Sequence, residues 1–157
     1  LTDDYDGILL SPGPGVPSEA GLMPEIIRLC ADTHSILGIC LGHQAIAECF
    51  GARLEQLQAP LHGVQDCLHI VKPEDDLLRG LSSDESIGHY HSWTVAREGF
   101  PDCLEITSTD EAGRIMSLRH KTKRLYGLQF HPESYMTSCG EKIIRNWLRT
   151  IHESTRK

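Results

Sequence analysis

The chain has 157 residues, of which 39% are hydrophobic and 24% charged, with a formal net charge of −7. These values fit one globular domain, residues 1–157, long enough to bury a core. The negative charge leaves no electrostatic footprint for nucleic acid, and no apolar run reaches the roughly 20 residues that a bilayer span needs, so a soluble protein without membrane or nucleic-acid partners is expected. Leu1 is not a translation start and Thr2 to Gly7 reads as a loop feeding straight into a strand, so a preceding segment is expected. The six cysteines, Cys30, Cys40, Cys49, Cys67, Cys103 and Cys139, are dispersed rather than set in a dense loop-rich framework. They are expected to be reduced, in a cytoplasmic setting. No CxxC pair is present, so no structural zinc site is assigned.

In chain order, Gly7 to Leu10 reads as a strand that stops at Ser11-Pro12-Gly13-Pro14-Gly15, where prolines and glycines preclude regular pairing. Pro24 lies near the first turn of a helix running to about Ala31, with Ile26, Ile27, Leu29 and Cys30 as its apolar set. Ile36 to Ile39 is the next buried strand. It runs into Cys40 and a helix from Gly42 to Phe50, closed by Gly51. This βα alternation predicts an α/β fold with a mainly parallel open sheet flanked by helices.

From Arg53 to Leu128 the pattern changes. Cys67–Val71, Ser86–His91, Cys103–Ser108, Ile115–His120 and Leu125–Phe130 are β-prone and closely spaced, which predicts antiparallel strands added to the sheet. A capping box from Ser138 to Glu141 opens a final amphipathic helix carrying Ile143, Ile144, Trp147, Leu148 and Ile151. Its basic face, Lys142, Arg145 and Arg149, reads as solvated.

Gly38-Ile39-Cys40-Leu41-Gly42 has the form G-x-C-x-G at a strand-to-helix junction, the thiol counterpart of the serine elbow. Flanking glycines let strand and helix approach around a strained nucleophile. At a helix N-terminus the free N–H groups favour the thiolate, and the Leu41 N–H becomes a donor for an oxyanion. Taken alone, Cys40 could equally be a buried structural thiol. A second element comes from Gln129-Phe130-His131-Pro132-Glu133-Ser134. Extended residues i and i+2 face one side, so Glu133 can fix the His131 tautomer and leave the other ring nitrogen for a nearby thiol. The pair His89 and His91, with His62 or His69, is a further metal-like grouping, but H-x-H on a strand is only a pair and no metal is assigned.

These two motifs, together with Leu10-Ser11-Pro12-Gly13-Pro14-Gly15 and Tyr90-His91-Ser92, closely resemble the class I (triad) glutamine amidotransferases, from about Asp6 to Leu148. The strings SPGPG, GICLGHQAIAE and QFHPES are similar to the glutaminase subunits (component II) of anthranilate synthase and aminodeoxychorismate synthase. The small subunit of carbamoyl-phosphate synthase is similar in its elbow but differs in the glycine loop and carries tyrosine before its histidine. The resemblance implies a flavodoxin-like amidotransferase fold, here expected without the N-terminal strand and helix with which relatives begin. It implies Cys40 as nucleophile, His131 as general base and acid, and Glu133 as its orienter. Gly13, Pro14 and Gly15 would complete an oxyanion hole with Leu41, while Gln44, Ser92 and Trp93 would hold L-glutamine. A chorismate-using synthase subunit (component I), which would carry Mg2+, is the implied partner, with no cofactor in this subunit. Trp93 and His62-Gly63-Val64 depart from the aliphatic residue and the HGK usual at those places. A non-catalytic scaffold and a hydrolase of γ-glutamyl substrates are the alternatives.

Overall fold

The structure is a computed structural model that describes residues 4–154. Strand β1 (Gly7–Leu10) is followed by a 3-10 turn (Pro17–Glu19), helix α1 (Met23–Cys30), strand β2 (Ser35–Ile39) and helix α2 (Leu41–Cys49). Strands β3 (Leu54–Cys67), β4 (His69–Ile70), β5 (Ser86–Val95), β6 (Leu104–Thr109), β7 (Ile115–His120) and β8 (Leu125–Leu128) precede helix α3 (Gly140–Ser154). Six strands form one sheet in the order β1-β2-β8-β7-β6-β4, and β3 pairs with β5 in a separate ribbon. β1, β2 and β8 run parallel, and β7, β6 and β4 extend the sheet antiparallel. The chain is therefore α/β with added antiparallel strands.

Side chains of a strand point alternately to its two faces, and here both faces are covered. Ile36, Ile115 and Leu125 pack with Ile27, Ala45 and Ile46 of α1 and α2. Their neighbours Leu37, Met116 and Tyr126 pack on the other side with Ile143 and Trp147 of α3. This double coverage explains why β2 reads as a continuous apolar run, since all its residues are buried.

α2 ends in a Schellman motif: Gly51, at φ 101°, donates to Glu48 at 3.1 Å and Ala52 donates to Ala47 at 3.0 Å. The glycine supplies the left-handed backbone that closes the helix. α1 buries Ile27 and Cys30, with Met23 and Ile26 against the same core, a spacing of three and four residues. Leu29, predicted in this apolar set, falls off that stripe and is 79% exposed. Leu148 of α3 is likewise exposed.

Other expectations are corrected. The segment Cys67–Val71 is not one strand: Leu68 is buried between β3 and β4 and donates to Glu85 O. β3 itself escaped prediction because beyond Leu54, which packs on the core, most of its side chains are exposed and carry no apolar periodicity. Its register with β5 shifts between Gln56 and Leu61 and between His62 and Val64. The Ser138–Glu141 capping box does not form. Ser138 instead accepts from the Ser86 N–H at 3.0 Å and donates to Glu85, and the helical bonds begin with Ile143 N–H to Cys139 O. The serine is spent on joining this segment to β5.

Candidate active site

Cys40 is the residue between β2 and α2, and its φ of 54° and ψ of −99° make it the only non-glycine with positive φ among the described residues. A side chain in that region costs on the order of 1–3 kcal/mol, so the surroundings must impose it. They do so through glycines. A Cβ on Gly38 would lie 2.4 Å from the Gly42 carbonyl, and one on Gly42 would lie 2.6 Å from the Leu10 carbonyl. Strand, helix and the end of β1 thus meet at closer range than any side chain permits. The Cys40 N–H is anchored to Leu128 O at 2.7 Å, and its carbonyl accepts from the Gln44 N–H at 3.1 Å.

His131 and Glu133 come together by a route different from the extended one expected. β8 stops at Leu128, and residues 131 to 134 form a turn closed by the Ser134 N–H on His131 O at 3.2 Å. Pro132 occupies the second position of that turn, where its fixed φ is favoured. The outcome matches expectation: His131 Nδ1 lies 2.6 Å from Glu133 Oε1. His131 Nε2 is buried and has no hydrogen-bond partner among the described residues. The turn is braced by Thr137, whose hydroxyl donates to His131 O at 2.6 Å. It is also wedged against the start of α3, since a Cβ on Gly140 would fall 1.8 Å from Pro132 O.

A cleft of about 300 Å³ opens beside Cys40. Its walls include Gly13, Pro14 and Gly15 of the glycine loop, Gln44 of α2, and Ser92 and Trp93 of β5. Leu41 does not line it, but its side chain packs beneath Gly13, whose would-be Cβ lies 3.1 Å from Leu41 Cδ2. His131 and Glu133 do not line the cleft either. Tyr90 connects them to it: its ring packs edge-on to His131 with centroids 5.1 Å apart, and its carbonyl accepts from Cys40 Sγ at 3.9 Å.

Burial pushes the Cys40 thiol up to about 11; the Leu41 amide and Gln129 pull it down, and Glu133 pushes it further up. The Leu41 N–H at the start of the helix favours the thiolate, as expected, but it does not decide the balance. Desolvation outweighs the N–H donors, and the thiol needs a base to take its proton.

Gln129 was not singled out from the sequence. Its side-chain N–H donates to Cys40 Sγ at 3.7 Å and its Oε1 accepts from Gln44 Nε2 at 3.1 Å. Gln44 Nε2 donates its second hydrogen to Trp93 O at 2.9 Å. Both hydrogens of that amide are thus used, which leaves its Oε1 for a ligand. The available signal for Gln129 was its place two residues before His131. Tyr90 was read only as part of a motif string, and His91 only there and in the metal-like histidine grouping.

The imagined histidine metal group is not assembled, since His62 contacts Ser92 and His69 pairs with Glu111. Among the described residues, Asp66, His89 and Asp110 have spacing compatible with a cation, but Arg114 already donates to Asp110 at 2.6 Å.

Residues 1–151 match the family model described as glutamine amidotransferase class-I. The chain belongs to the class-I glutamine amidotransferase family. It is 44% identical over 146 residues to a Haemophilus influenzae protein provisionally named anthranilate synthase component II, covering 93% of this chain and 75% of that one. It is 39% identical over 149 residues to the aminodeoxychorismate/anthranilate synthase component 2 of Bacillus subtilis, covering 94% and 75%. The chain spans 63% of the length of the Mycobacterium tuberculosis anthranilate synthase component 2. Among solved structures, a Thermoplasma acidophilum protein provisionally named as part of a GMP synthase superposes with a TM-score of 0.87 at 27% identity, covering 98% of this chain and 76% of that one.

Proposed function

We propose that the cleft beside Cys40 binds L-glutamine and that Cys40, His131 and Glu133 release its amide nitrogen as ammonia for a chorismate-using synthase subunit. The observation that carries this reading is the buried, unpartnered Nε2 of His131, whose other nitrogen is already committed to Glu133. A histidine so held is a base with one open position, and the nearby thiol, raised by burial, is the group that needs one.

The Cys40 thiol passes its proton to His131 Nε2 as sulfur bonds to the side-chain carbonyl carbon of glutamine. The resulting oxyanion is met by N–H groups of Leu41 and the Gly13 loop. His131 returns the proton to the departing nitrogen, the C–N bond breaks, and ammonia leaves a γ-glutamyl thioester. Water, giving a proton to the same histidine, attacks that carbonyl, and glutamate departs as the thiol is re-formed. Gln44 Oε1 and the backbone of Ser92 and Trp93 hold the amino-acid end.

No step needs a metal or cofactor in this chain, and Mg2+ is assigned to the partner subunit. The partner is inferred from the names of the relatives, which include both anthranilate and aminodeoxychorismate synthases. Free thiols suit a reducing, cytoplasmic setting; no helix among the described residues is long and apolar enough to cross a membrane. The test is glutamate release from glutamine by the purified chain, alone and with a chorismate-using subunit, with Cys40→Ser as the blank. Release that requires Cys40 and rises with the partner supports the reading; release undiminished in Cys40→Ser overturns it.

A further inference from the structure

Trp93 O accepts two hydrogen bonds, one from Gln44 Nε2 at 2.9 Å and one from the His91 ring at 2.8 Å. A carbonyl has two lone pairs, so this oxygen is saturated and held from two sides. The His91 donor is itself held. A carbonyl can only accept, so His91 Nδ1 carries the hydrogen. Burial pushes the His91 ring down to about 4, so it is neutral at physiological pH and its Nε2 is a bare acceptor. His89 Nδ1 lies 2.9 Å from that Nε2 and must be the donor.

The far side of His89 is anchored in turn. Its Nε2 faces the carboxylates of Asp66 at 3.3 Å and Asp110 at 3.6 Å, which accept, so a His89 that donates on both sides is an imidazolium with a hydrogen on each ring nitrogen. Arg114 clamps Asp110 through both its side chain and its N–H. Burial lowers the His89 pKa and Arg114 adds to that, while Asp66 and Asp110 oppose it. Both histidines are almost completely buried. A buried file of polar groups thus runs from β3 and the β6–β7 turn to the wall of the cleft, with no apolar packing role to explain it.

We propose that His91, supported by His89, is a positioning residue that fixes the Trp93 peptide so that the wall of the cleft is already in place when the amino-acid end of glutamine arrives. The proposal rests on the reading of this cleft as the glutamine site. Neither histidine reaches the reacting sulfur, so the file acts on recognition and leaves the thiol chemistry alone. Pre-ordering of a binding wall removes an ordering cost that would otherwise weaken association.

The test uses two reagents that alkylate Cys40 in the full chain, read by mass spectrometry of its peptide. Iodoacetamide is small and asks only for the sulfur; a glutamine-like diazoketone must also be recognised at its amino-acid end. His91→Ala is expected to slow diazoketone labelling by about tenfold, the size of one lost buried hydrogen bond, and to change iodoacetamide labelling less than about twofold. His91→Asn, which can present an N–H to the same carbonyl, is expected to recover most of the loss.

Equal slowing with both reagents would make His91 merely structural and overturn the proposal, as would unchanged diazoketone labelling or no recovery in His91→Asn. Wild-type chain alkylated at Cys40 by iodoacetamide but refractory to the diazoketone would instead sink the glutamine reading itself. The two failures are therefore distinguishable.

Discussion

His131 offers Glu133 one ring nitrogen at 2.6 Å and keeps the other buried and unpartnered among the described residues. The carboxylate fixes which nitrogen carries the hydrogen. His131→Ala is accordingly expected to lower kcat for glutamine hydrolysis by about 100-fold to 10,000-fold, the usual contribution of a positioned acid-base group. Glu133→Gln keeps the ring in place and should cost less. Steady-state glutaminase assays of the two variants check the order, and a Glu133→Gln defect exceeding that of His131→Ala would contradict it.

The Cys40 thiol, at about 11, should react with iodoacetamide in a pH-dependent way. Because the folded value lies above the ordinary thiol value near 8.5, only about one molecule in a thousand carries the thiolate at pH 8. Alkylation is expected to rise roughly tenfold per pH step and to level off only near that high value. The linkage has the same sign: between the ordinary and the raised value the folded chain holds a proton that the unfolded chain has lost, so this group costs stability as pH rises through that window. Gln129→Leu removes one donor that pulls the thiol down and should shift the alkylation curve upward. A plateau near pH 8 would refute the burial account.

The elbow glycines give a contrast in stability. Gly38→Ala would drive a methyl to 2.4 Å from the Gly42 carbonyl, a backbone group that cannot step aside. A loss on the order of 3 kcal/mol is expected from such overpacking. Gly113 also has positive φ, at 82°, but a Cβ there meets nothing within 4 Å. Gly113→Ala should cost only about 1–2 kcal/mol, the penalty of the left-handed backbone. Urea midpoints of the two variants decide the point.

Most of the site was legible because its chemistry is local in the chain. Gly38, Cys40 and Gly42 are one turn, and His131 and Glu133 are two residues apart, so short strings carried both the strain and the tautomer argument. What stayed hidden joins distant segments. Gln129 matters because it touches Cys40 and Gln44, 89 and 85 residues away, and no periodicity reports that. β3 carried no apolar alternation because beyond Leu54 most of its side chains are exposed, and Ser138 was taken from its helix cap by Ser86 and Glu85 of another segment. Burial, the cause of the high Cys40 value, is likewise a property of the assembled fold.

Away from the site, buried Asp75 is pushed up to about 6 from 3.8 by desolvation, against the pull of the Leu77 N–H and Arg119. The folded chain therefore binds an extra proton between those values, and this group's contribution to stability falls as pH rises through that range. Asp75→Asn, which can still accept from Leu77, is expected to raise stability by about 1–3 kcal/mol at pH 8 and to bring no gain at pH 4. Denaturant titrations at the two pH values check it, and an equal change at both would contradict the assigned cause.

The central claim is covalent catalysis by Cys40, and acid-quench trapping tests it most directly. The chain, with its synthase partner and saturating glutamine, would be quenched during turnover and the Cys40 peptide examined by mass spectrometry. A γ-glutamyl adduct on Cys40, absent in Cys40→Ser, is the expected result. Turnover that continues in Cys40→Ser, or an adduct on another residue, would contradict the mechanism.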